Sequence, residues 1–74
     1  MYKDNRNCHY YFVTIYHTPQ GWKLEAESLK YFNDIFREKV YKTAESAEKA
    51  LHRFNRKLSD RIGAGVYSVY GILG

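Results

Sequence analysis

Residues 28–42 read SLKYFNDIFREKVYK, and two secondary structures compete for them. Leu29, Phe32, Phe36 and Val40 recur at steps of three and four, the spacing of one buried helical stripe, with Ser28 placed to cap it. Against that, Tyr31-Phe32 and Ile35-Phe36 flank an Asn33-Asp34 turn, as in two short strands. The residue types tilt the reading towards strand, because Tyr, Phe, Ile and Val suit a pleated surface. The choice orders the whole chain: β-β-β-α-β if strand, β-β-α-α-β if helix.

The flanking segments are clearer. After residues 28–42 comes TAESAEKALHRFNRKLSDRI, Thr43 to Ile62, stopped by Gly63. Ala44, Ala47, Leu51, Phe54, Leu58 and Ile62 fall within about 80° of arc at 100° per residue, one buried stripe on a long helix. Thr43 caps the first turn, Glu45 and Glu48 suit the positive end of the dipole, and Gly63 suits a left-handed stop. Ala47, Leu51, Phe54 and Leu58 are expected to bury against a sheet.

On the other side, Tyr10 to Thr18 (YYFVTIYHT) reads as a strand. Val13 and Ile15 are core candidates on one face, and Tyr10, Phe12 and Tyr16 form an aromatic row on the other. Pro19-Gln20-Gly21 is a turn, and Trp22 to Glu27 alternates strictly, which completes a hairpin. Val66 to Leu73 reads as a last strand, apolar on both faces and therefore expected at the centre of the sheet. Residues 1–8, MYKDNRNC, lack periodicity and are expected to fray. The expected fold is α+β, a single domain over residues 1–74. A small antiparallel β-sheet of three or four strands packs on one long helix in the C-terminal half.

Composition narrows the function. A 74-residue chain must draw much of its burial from large aromatics, and eight Tyr, four Phe and one Trp supply them. One cysteine forms no internal disulfide, which points to a reducing compartment. MYKDNRN is polar, without a basic-then-apolar leader, and the apolar run Tyr10–Tyr16 is too short to cross a bilayer. A cytoplasmic protein with no membrane partner is expected. A net charge of +4 favours anionic partners.

Catalytic and metal chemistry have little to stand on. Cys8 and His9 are neighbours that a strand would point to opposite faces. His17 and His52 have no carboxylate or thiol at a ligand spacing, and Gly63 and Gly65 follow a helix instead of opening one onto a phosphate. No enzyme activity, cofactor or metal is expected.

Two surfaces remain. On the long helix, Lys49, Arg53 and Arg56 lie within roughly 60° of one another, with Lys57 and His52 flanking and Arg61 in the last turn. Lys49, Arg53, Arg56 and Lys57, joined by Lys23 and Lys30, are the candidate phosphate contacts. Glu45–Lys49, Glu48–His52 and Arg56–Asp60 are spaced i,i+4 and are expected to neutralise part of that row, leaving Arg53, Lys57 and Arg61 least compensated. On the sheet, Tyr10, Phe12 and Tyr16, with Tyr67 or Tyr70, form a face that would stack bases, bind a protein or close a homodimer.

Two resemblances bear on this. KVYKTAESAEKAL, residues 39–51, resembles the strand-into-helix junction of arm-type DNA-binding domains of tyrosine integrases, which implies a three-stranded sheet laid in the major groove with one helix behind. The junction Ala26-Glu27-Ser28-Leu29 is similar to one in small phage anti-defence proteins of the anti-CRISPR type. That likeness implies an inhibitor acting in the host cytoplasm by covering a surface of a defence effector. The expectation is a non-enzymatic binding module for nucleic acid or a nucleoprotein complex in a phage or mobile-element setting. The alternative is a protein-binding inhibitor of a host defence system that works through the aromatic sheet face.

Overall fold

The structure is a computed structural model and describes residues 8–74. Residues 1–7, most of the stretch expected to fray, lie outside the described residues, whereas Cys8 already belongs to the first strand. The described elements are β1 (Cys8–Thr18), β2 (Gly21–Ala26), α1 (Lys30–Phe36), α2 (Ala44–Ile62) and β3 (Gly65–Leu73). The order is β-β-α-α-β, and the class is α+β with a three-stranded sheet and two helices.

The tilt towards strand in residues 28–42 is corrected: Lys30–Phe36 is a helix. Its physical cause lies outside the segment. Phe32 and Phe36, four apart, both reach Phe54 of α2, with ring centroids at 5.1 and 5.7 Å. Asn33 accepts from the Ala26 N–H and donates to the Ala26 carbonyl, both at 2.8 Å, which satisfies the end of β2 as a neighbouring strand would. Nor is Ser28 the cap. It turns the chain in the left-handed region with φ 65°, and Leu29 opens the helix with no side-chain hydrogen bond.

The sheet is mixed and not purely antiparallel, in the order β2-β1-β3. β1 and β2 pair antiparallel from Val13↔Ala26 to Thr18↔Gly21. β3 runs parallel to β1, from Cys8↔Gly65 to Tyr16↔Leu73. The centre of the sheet is thus β1, and β3 is an edge, contrary to the expectation from its two apolar faces. The outer edge of β2 is partly covered, because Trp22 and Tyr41 exchange both backbone hydrogen bonds at 2.7 and 2.8 Å.

The core lies between one sheet face and the helices: Val13, Ile15, Leu24, Ala26, Phe32, Phe36, Ala47 and Leu51 are buried. Thr43 caps α2 by accepting from the Ser46 N–H at 3.0 Å, and Gly63 ends it at φ 70°. The expected stripe is corrected in part. Ala47 and Leu51 are fully buried, Phe54 and Leu58 are half-buried, Ile62 is exposed, and the next buried position is Asn55.

Candidate functional sites: a basic pocket and an apolar sheet face

A pocket of about 320 Å³ opens between α1, α2 and the segment that joins them. Phe54 forms its base and is fixed from behind by Phe32 and Phe36 and by Tyr11, whose ring lies 6.5 Å away. Tyr31 leans on Phe54 from α1 at 6.1 Å, and Tyr41 closes the far side. Around these rings stand Lys39, Arg53, Lys57 and Arg61, all exposed. The last three follow one another at i,i+4 along α2, so one helix edge delivers them to the same mouth. No carboxylate lines the pocket. Burial pushes the Tyr41 hydroxyl pKa up, and the Arg53 charge, which lines the same pocket, pulls part of the way back.

The structure divides the expected phosphate contacts. Arg53 and Lys57 meet at the pocket, whereas Lys49 and Arg56 are exposed elsewhere on α2. Lys23 is occupied: its ammonium donates to the carbonyls of Arg37 at 2.7 Å and Lys39 at 3.3 Å, tying β2 to the end of α1. Lys30 stands 3.8 Å from Asp34 on its own helix, outside the pocket. That is the one ion pair among the described residues. The expected neutralising pairs Glu45–Lys49 and Arg56–Asp60 do not close, and Glu48 instead accepts from the Tyr70 hydroxyl at 2.7 Å. Sequence reasoning missed Lys39, Tyr31 and Tyr41 as site residues, because the strand reading of 28–42 scattered them. The i,i+4 spacing of Tyr31 and Ile35 was the signal for Tyr31, whereas Lys39 and Tyr41 lie in the segment after α1 and carried none.

The second surface is the sheet face turned away from the helices. Tyr10 and Phe12 are each 64% exposed, beside Tyr67, Val69 and Leu73 from β3, all at least half exposed. Tyr10 stacks on Tyr67, its parallel partner, with centroids 5.5 Å apart. Tyr16 shares this face but is half-buried. Of the two further tyrosines expected to join the row, Tyr67 does and Tyr70 does not. Tyr70 points to the helix layer, where it bonds Glu48 and meets the edge of the His52 ring at 5.9 Å.

Among the described residues no group of three or more His, Cys, Asp or Glu side chains is placed to hold a metal ion, and no helix is long and apolar enough to cross a membrane. Comparison with protein-family models, with curated proteins and with solved structures finds no match to the chain.

Proposed function

We propose that the chain is a non-enzymatic module that binds nucleic acid, and that it does so through the pocket between α1 and α2. The observation that carries this reading is the pocket's composition: four cations and an aromatic lining, with no carboxylate among them. Exposed cations draw in phosphates, and tyrosine or phenylalanine rings contribute about 1–3 kcal/mol per stacked base without reading sequence. At about 320 Å³ the space suits one unstacked base with its phosphate and not a duplex groove. The preferred ligand is therefore single-stranded.

The test is a salt titration of binding to a labelled single strand and to a duplex of the same sequence. The logarithm of affinity for the single strand should fall with log salt at about 0.7 per phosphate contact, and the duplex should bind more weakly. Arg53→Glu should cripple binding. Absence of binding at about 50 mM salt would overturn the reading, since electrostatic attraction is near its strongest there. The competing inhibitor reading, in which the sheet face covers a protein effector, predicts that absence.

A further inference from the structure

The geometry points to a homodimer in which two copies pack their sheets face to face through Tyr10, Phe12, Tyr67, Val69 and Leu73, with Phe12 of each seated in a notch over Gly71 of the other. This inference concerns the face opposite the pocket and does not depend on nucleic-acid binding.

The notch is a feature of the register. Thr14 pairs with Gly71 in the middle of the face, between the large pairs Phe12↔Val69 and Tyr16↔Leu73. A Cβ built on Gly71 would meet nothing within 4 Å, so the chain itself leaves that space open. No positive φ demands glycine there either. A glycine inside a strand loosens it and commonly marks close approach by another backbone or group. Here the approaching group is supplied by the same surface: Phe12, 64% exposed, stands one pair along from the notch. A ridge next to a hollow on one face is self-complementary under a two-fold axis, as an isologous interface requires.

Area and charge favour a second copy as the occupant. Five large apolar side chains at half exposure or more amount to roughly 400–500 Å² per copy, given about 150–250 Å² for a whole aromatic. Two copies together then bury on the order of 1,000 Å², the lower bound for a specific interface. Nucleic acid is a poor fit, because Glu25 and Glu27 flank the face and the Lys23 ammonium is held by backbone carbonyls. The β1 and β3 residues that form the face, Tyr10 to Tyr16 and Tyr67 to Leu73, carry no charge. Face-to-face packing sets the basic helices on the outside, where two copies of net charge +4 repel least. It also leaves both pockets open.

Sedimentation velocity on the full chain from about 1 to 100 µM tests this, a range that brackets the micromolar affinity of modest interfaces. The expected result is a concentration-dependent species of twice 8.8 kDa. Gly71→Val should shift that equilibrium towards monomer by about thirtyfold or more, the effect of losing a central contact. At a concentration where wild type is monomeric its circular dichroism and melting should match wild type, since a Cβ added at Gly71 meets nothing within one copy. Phe12→Lys should also yield monomer. A wild-type chain that stays monomeric at 100 µM overturns the inference, as would a surface that serves only a different protein. A Gly71→Val chain that still dimerises as wild type does overturns it too, and would place the contact at the outer edge of β3.

Discussion

The Tyr11 hydroxyl donates to Asn55 Oδ1, which ties the central strand to the long helix through the one buried polar residue of the described core. The Asn55 amide completes the link by donating to Ser68 Oγ on β3 at 3.1 Å. One side chain thus fixes where α2 sits over two strands. Among the described residues no buried side-chain polar atom is left without a partner.

Replacing that residue tests its weight. Asn55→Leu removes the acceptor of Tyr11 and the donor to Ser68, leaving both hydroxyls to be satisfied in a half-buried layer. The expected cost is about 1–3 kcal/mol, read as a lower urea midpoint with an unchanged slope.

Alkaline pH should weaken the fold through the same contact. Burial pushes the Tyr11 pKa well above the ordinary value of 10, and the hydrogen bond to Glu48 raises that of Tyr70. An unfolded tyrosine ionises near 10, so between that value and the raised folded values the unfolded state holds fewer protons. Stability is therefore complete below about pH 10 and falls as pH rises through the folded values. Urea midpoints at about pH 8, 10 and 11 should decline, and Tyr11→Phe, less stable at neutral pH, should decline less steeply.

Gly21 holds the covered edge of β2. Its φ is 143°, and a Cβ there would lie 2.6 Å from Val40 Cγ1 and 2.7 Å from the Tyr41 carbonyl oxygen. Gly21→Ala should break the Trp22–Tyr41 pairing and cost about 2 kcal/mol or more. Hydrogen exchange at the Tyr41 amide should report the opening before the global melt does.

The pocket sorts the cations by position and not by number. Lys57→Glu and Arg61→Glu should each lower single-strand affinity about tenfold and flatten the salt slope by about one unit. Arg56→Ala and Lys30→Ala, outside the pocket, should change affinity less than twofold, a size typical of distant surface charges. Equal losses from all four variants would show a diffuse positive field instead of a site.

Much of the frame was legible in the residues. The long helix with its Thr43 and Gly63 caps, the buried Ala47 and Leu51 of its stripe, the hairpin turn at 19–21, the core positions Val13 and Ile15 and the exposed row of Tyr10 and Phe12 all follow from periodicity and turn chemistry. These are short-range signals, carried by residues within a few positions of one another. The position of β3 was not legible, because an apolar strand reads the same whether a neighbouring strand covers its second side or nothing does.

What only the tertiary structure decided is the fate of 28–42 and, with it, the site. Locally the segment favours neither state strongly. Phe54, eighteen residues beyond Phe36, and the Ala26 backbone, seven before Asn33, settle it as a helix by supplying aromatic contacts and hydrogen bonds that a strand would not meet. The same choice carries Tyr31 to Phe54 and sets Lys39 beside Arg53 and Lys57. The i,i+4 spacing of Glu45 with Lys49 and of Arg56 with Asp60 did not become ion pairs, since exposed side chains gain little by pairing in water. Sequence alone determined which faces are apolar and which carry cations. Packing between residues distant along the chain decided which of those cations share a pocket.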